Sequence, residues 1–245
     1  MKLLFYTRRY VPVFFVLLQS KDEEVYQLAL QACINSTARR FGALSVTCDF
    51  ERGLIDALKL EFSEAFFVLC LFHFKQAVRR KLLEFGIPKE LISLLMDENG
   101  LINILTVIPV EEIVPKGIPF IRAHFDEGEY SRKFDQFWRY FQDTWINSYD
   151  PNNWNINAVI NAQKESPDQI MINRTNNPLK RLNRTLNELF GCYHPSMERF
   201  VITIKEYCIR LNEELKGIKL NLRRRPIYPQ PHIFPIPPAY TNWSP

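Results

Sequence analysis

Two short apolar runs, Ala43–Cys48 and Ala65–Cys70, constrain this chain more than anything else in it. Both are rich in residues that favour strands and too short to be helices. Leu54–Phe62 lies between them with helical periodicity. Phe74–Phe85 follows with the same periodicity and a basic face made by Lys75, Arg79, Arg80 and Lys81. Strands alternating with helices call for an α/β layer. The N-terminal stretch extends the pattern. Leu3–Thr7 and Val11–Gln19 read as two strands, a possible hairpin around Arg8-Arg9-Tyr10. Asp22 is placed to cap a helix over Asp22–Arg40, with Val25, Leu28, Ala29, Ala32 and Cys33 on one face.

After Gly86 the pattern changes. Pro88–Leu95, Leu101–Ile108, Val110–Val114, Ile118–His124 and Phe134–Ile146 read mostly as helices with no strand between them. Asp150–Pro167, with many Asn and two Pro, reads as a loop. Asn177–Phe190 is a helix with Leu179, Leu182, Leu186, Leu189 and Phe190 on one face. His194-Pro195-Ser196 ends it, and Met197–Leu215 forms a second, with Phe200, Ile204, Tyr207 and Leu211 at helical spacing. Pro226–Pro245 holds seven prolines, so it can form neither helix nor central strand and is expected to be an extended, disordered tail. A polyproline ligand is the alternative reading of that tail. The expected divisions are 1–85 (α/β core), 86–170 (helical insertion and loop), 171–217 (C-terminal helices completing the core) and 218–245 (tail).

The net charge of +4 is uneven: residues 171–225 carry 12 Lys and Arg against 5 Asp and Glu. A basic segment on a slightly acidic body suits a polyanion, although solvated helix faces would give the same count. Five cysteines, odd in number and irregularly spaced, do not form a secreted disulfide framework and point to a reducing compartment. The uninterrupted apolar run Val11–Leu18 is too short to span a bilayer, and no membrane partner is expected.

Three local features could carry chemistry. Asp49-Phe50-Glu51 follows the first buried strand. A carboxylate at that end suits a divalent cation, and equally suits capping the next helix. Cys70-Leu71-Phe72-His73 closes the second strand with metal-ligand residue types. No second Cys/His pair stands at a matching spacing, so a buried thiol beside a hydrogen-bonded imidazole is expected rather than a structural zinc. In Arg174-Thr175-Asn176-Asn177-Pro178, Asn176 or Asn177 is a good N-cap and Pro178 suits the first helical position. With Lys180, Arg181 and Arg184, this helix start suits a phosphate backbone. An ordinary capped helix with a cationic face would look the same.

In this order the features resemble the Mutator-like (MULE) transposase domain. The matching string runs from Val11-Pro12-Val13-Phe14-Phe15-Val16-Leu17-Leu18 and Tyr26 through Asp49-Phe50-Glu51 and Cys70-Leu71-Phe72-His73-Phe74-Lys75-Gln76. It ends with Trp145 and Arg174-Thr175-Asn176-Asn177-Pro178-Leu179. The resemblance implies an RNase H-like core with a helical insertion. It also implies DNA cleavage and strand transfer, using divalent metals (Mg or Mn) held by a set of three acids, and a nuclear location. Asp49 matches the second acid, and Cys70 and His73 match the Cys-x2-His that follows it. The position of the third acid, a Glu, is Lys180, which has donors but no acceptor and cannot ligate a cation. Glu188 lies ~12 Å further along the helix and does not replace it. The first acid belongs to a strand preceding Met1-Lys2-Leu3-Leu4-Phe5. The expected fold is therefore α/β, an incomplete RNase H-like core without its first central strand, with an all-helical insertion and C-terminal helices. The expected function is that of a transposase-derived protein, catalytically inactive, with no metal bound productively. It would keep residual DNA binding through Arg174, Asn176, Asn177, Arg181 and Arg184. The alternative is a non-enzymatic interaction or regulatory remnant that pairs with itself or with a full-length transposase.

Overall fold

β1 (Ser45–Cys48) runs parallel to β2 (Phe66–Leu69), with Ser45 opposite Phe66 and Cys48 opposite Leu69. Parallel neighbours need a crossover, and α2 (Arg52–Glu61) supplies it, burying Ile55, Ala57 and Leu58. The computed structural model describes residues 12–37, 43–125, 128–165, 174, 177–192, 194–224 and 233–244. They fall into two compact units. The larger lies within Val16–Thr175 and Pro231–Pro245, the smaller within Met1–Phe15 and Asn176–Gln230.

The larger unit is mixed α/β but mostly helical. Among the described residues its sheet is only β1 and β2, which by itself does not make an RNase H-like core. The strand expected over Val11–Gln19 does not form. Residues 12–19 pair with no strand, and Val13, Val16 and Leu17 are exposed. A strand is held by its neighbour's hydrogen bonds, and Leu3–Thr7 lies outside the described residues.

α1 (Glu23–Ser36) packs on α2 with a different face from the expected one. Leu30 and Ile34 join the core cluster, whereas Leu28 and Ala32 are exposed. Asp22 occupies the N-cap position, but its carboxylate accepts from Ser20 Oγ at 2.6 Å rather than from a helix N–H. The approach to α2 is close enough to require glycine at position 53. A Cβ there would sit 2.9 Å from Lys21 O and 3.1 Å from Glu23 N.

α3 (Leu71–Glu84) leaves β2 directly, three residues earlier than the periodicity suggests, and buries Phe74, Val78 and Leu82. α4 (Lys89–Met96) follows, then a 3-10 turn over Leu101–Thr106 and a second over Val110–Glu112. A π turn over Ile113–Gly117 leads into α5 (Ile118–Phe125). α6 (Ser131–Phe141) widens into another π turn over Gln142–Ser148. The core of these elements is strongly aromatic: Phe74, Phe120, Phe134, Phe137 and Phe141 are fully buried. Each contributes roughly 1.5–3 kcal/mol of burial. No single helix among the described residues is long and apolar enough to cross a membrane.

The segment expected to be a loop after Asp150 contains α7 (Pro151–Trp154) and α8 (Asn157–Glu165). Its asparagines act as fasteners. Asn155 is buried and donates through Nδ2 to Leu105 O and Ile108 O, both at 2.8 Å. Asn157 Nδ2 donates to Val107 O at 2.8 Å. Asp150 caps α7 by accepting from Asn152 N at 2.9 Å. The expected disordered tail is also different over 233–244. Phe234 and Tyr240 are buried, and α11 (Pro238–Thr241) forms. Tyr240 and Trp243 meet the Phe120 ring edge-on at 5.3 and 5.7 Å, and Tyr240 O–H donates to Glu112 Oε2 at 2.8 Å. Proline forbids a regular ladder but permits this docking, because aromatic side chains interleave with the prolines.

The smaller unit is built on α9 (Asn177–Phe190) and α10 (Met197–Lys219). Phe190 stacks on Phe200 at 5.5 Å. Gly191, at φ 65°, ends α9 in the left-handed conformation that glycine adopts without strain. Ser196 caps α10 by accepting from Arg199 N at 3.2 Å.

Candidate functional site

Parallel pairing brings the C-terminal ends of both strands together. The register continues past the sheet, with Cys70 N donating to Cys48 O at 2.9 Å. Asp49 and Cys70 therefore emerge side by side, and His73 projects from the first turn of α3. The carboxylate, thiol and imidazole each offer a ligand atom, and these atoms lie within 4.8 Å of one another. His73 Nδ1 is 3.0 Å from Asp49 Oδ1. The two atoms are close, but the buried ring nitrogen is not aligned for a hydrogen bond and makes none. Cys70 is fully buried, whereas the Asp49 and His73 side chains keep 46% and 30% of their exposure, so the cluster opens to one side.

That side is a groove of about 520 Å³. Asp49, Glu51, His73 and Arg80 give it charge, and Tyr140, Trp145 and Tyr149 give it an aromatic wall. The π turn of Gln142–Ser148 places Thr144 and Trp145 on that wall. Phe50 also lines the groove, edge-on to Trp145 at 5.0 Å and to Tyr149 at 5.2 Å. Glu51 is held by Lys21 Nζ at 3.3 Å. The thiol of Cys48, one residue from the cluster, is pushed up to about 12 by burial, then by the Asp49 charge and Cys70.

Arg174 has a different place from the expected one. It is 5% exposed, and its Nη2 donates to Thr106 Oγ1 at 2.5 Å. Its backbone carbonyl accepts from Leu71 N at 2.8 Å, closing the start of α3 beside Cys70. Burial pushes the guanidinium down to about 10. Lys75 is also lowered, first by burial and then by Arg174. Asn177 and Lys180 lie in the first turn of α9, in the smaller unit, but their side chains and all of Asn176 fall outside the described residues. Arg181 and Arg184 are exposed on α9. The structure thus joins Asp49 to Cys70 and His73, and sets Arg174 apart from the exposed arginines.

The sequence reading named Asp49 and the Cys70–His73 pair as separate candidates, and the structure brings the three together. The signal was present: both features follow consecutive strands of one parallel unit, and such ends share a crevice. Nothing local pointed to Trp145 or Tyr149 as walls of the same groove.

Divalent oxygen-ligand chemistry fits this donor set poorly. Mg²⁺ takes oxygen ligands, usually carboxylates and waters. The described cluster offers one carboxylate with a thiol and an imidazole. Residues 6–77 match the family model of the MULE transposase domain. Comparison with curated proteins and with solved structures finds no match.

Proposed function

We propose that this chain, whose residues 6–77 match the family model of the MULE transposase domain, is a transposase-derived protein that binds duplex DNA but does not cleave it. The composition of the cluster carries the reading. Asp49, the remnant of the acidic set, meets Cys70 and His73 rather than other carboxylates, and Lys180 stands where the resemblance calls for Glu. An ammonium cannot ligate a cation and repels one. DNA affinity rests on α9. Arg181 and Arg184 are exposed there, and Asn176 and Asn177 stand at its start. A helix N-terminus with exposed guanidinium groups suits phosphate oxygens. Arg174, being buried, supports α3 instead. A nuclear location belongs to the same reading.

Filter binding of duplex DNA at graded salt tests the proposal. Affinity should fall linearly on logarithmic axes, and the double variant Arg181→Ala/Arg184→Ala should reduce the slope by about two. Absence of affinity even at low salt would sink DNA binding. Metal-dependent cleavage lost in Asp49→Ala would sink inactivity.

One observation favours a second reading, a pairing or regulatory remnant. Val201, Ile202 and Ile209 are exposed on α10. A monodisperse monomer in light scattering, with no association with a full-length transposase, would remove it.

A further inference from the structure

We infer that Asp49, Cys70 and His73 form a site for a single zinc-class cation, with a fourth position open to the groove. The inference goes beyond DNA binding and does not depend on it, since all three ligands lie in the larger unit and the exposed arginines in the smaller. Geometry is the first ground. Tetrahedral zinc with sulfur, nitrogen and oxygen ligands holds those atoms roughly 3.3–3.8 Å apart. Here they all lie within 4.8 Å, and Nδ1 and Oδ1 are already at 3.0 Å. Closing the set needs side-chain rotation only. The backbone is held on either side of the cluster: Cys48, next to Asp49, pairs with Leu69, Cys70 N donates to Cys48 O, and Leu71 N donates to Arg174 O.

The second ground is the state of His73. Its Nδ1 is buried, lacks a hydrogen bond and faces the carboxylate. A cation between the two would satisfy a polar atom that otherwise carries a desolvation cost. The third ground is ligand type. Thiolate and imidazole select zinc-like ions over magnesium or calcium. Binding takes the thiol proton from Cys70 to solvent and leaves a thiolate–metal bond, with no change of oxidation state. Among the described residues three protein ligands converge, and Asp49 and His73 border the groove, so water or a ligand in the groove completes the tetrahedron.

The test uses the full chain, stripped with chelator and titrated with Co²⁺ and then Zn²⁺. One cobalt per chain should bind, with a sulfur-to-cobalt charge-transfer band that stoichiometric zinc abolishes. An excess of Mg²⁺ of about a thousandfold should leave the band intact. Cys70→Ser should remove the band, and His73→Ala should weaken zinc by about tenfold or more. Because Cys70 is fully buried, Asp49→Asn provides an independent arm. That residue is half-exposed, so the fold should persist by circular dichroism while zinc affinity falls by about tenfold or more. Failure to bind zinc stoichiometrically, a band that survives Cys70→Ser, or magnesium competing on equal terms would overturn the site. Loss of DNA binding with the cobalt band intact would sink the DNA reading alone.

Discussion

The ring of Phe74 lies flat on Trp154, with centroids 5.1 Å apart and planes 14° from parallel. Phe74 also meets Trp145 edge-on at 4.7 Å, and Trp154 Nε1 donates to Trp145 O at 2.9 Å. This stack fixes the first turn of α3, and with it the direction of His73. Phe74→Ala should lower stability by about 3–5 kcal/mol in urea denaturation. Phe74→Leu, which keeps more of the volume, should cost less. Equal losses would mean that ring geometry, rather than filled space, matters most.

Asn155 ties α7 and α8 to the turn before them. Asn155→Ala removes both donors to Leu105 O and Ile108 O and should cost about 1–3 kcal/mol. Asn155→Asp should be worse, because an ionised carboxylate has no hydrogen to donate and would face two carbonyl oxygens. Thermal melts of the two variants check the order.

Arg174 is a buried cation with no carboxylate in ion-pair reach among the described residues. Its guanidinium is held near 10, below the ordinary 12.5, so the folded state binds the proton less firmly than the unfolded chain. The cost is fully present at neutral pH and is relieved only as pH rises through that window. Arg174→Met keeps the backbone carbonyl that closes α3 and removes the charge. It should raise the free energy of unfolding at pH 7, measured in urea, by about 1 kcal/mol or more. A loss instead would mean that the bond to Thr106 outweighs desolvation.

Tyr240 holds the C-terminal segment in place. Burial first, then the hydrogen bond and charge of Glu112, raise its hydroxyl above the usual tyrosine range. The folded state therefore keeps a proton that the unfolded chain releases at lower pH. Its contribution is complete below roughly pH 10 and is lost as pH climbs. Tyr240→Phe should flatten that alkaline decline and cost about 1–2 kcal/mol below it. Melting temperatures at stepped alkaline pH would reveal a decline that Phe does not change, which would place the titration elsewhere.

Periodicity made the long regular pieces legible. Asn177–Phe190 is α9 to the residue, and the βαβ unit was readable because strand and helix periods differ sharply. Local pattern failed where distant partners decide. Asn155 resembles a loop residue until Leu105 and Ile108 are beside it, and Tyr240 resembles tail until Phe120 is beneath it. The face of α1 was misread because Leu28 and Leu30 are equally apolar, and only α2 chooses between them. At the site, Asp49 and the Cys70–His73 pair were each recognised. Their union came from strand register, which a search for ligand spacing along the chain does not include.

Residues 233–244 complete the aromatic core around Phe120, yet the chain reaches them only after α9 and α10. Synthesis proceeds at about 5–20 residues per second, so during translation the Phe120 surface waits uncovered for several seconds. For that interval the nascent larger unit presents a sticky apolar patch, which closes only once residues 233–244 have emerged. A chaperone that shields the patch, or a slow last phase in refolding that vanishes on truncation before Ile233, would be the kinetic signature of this order of assembly.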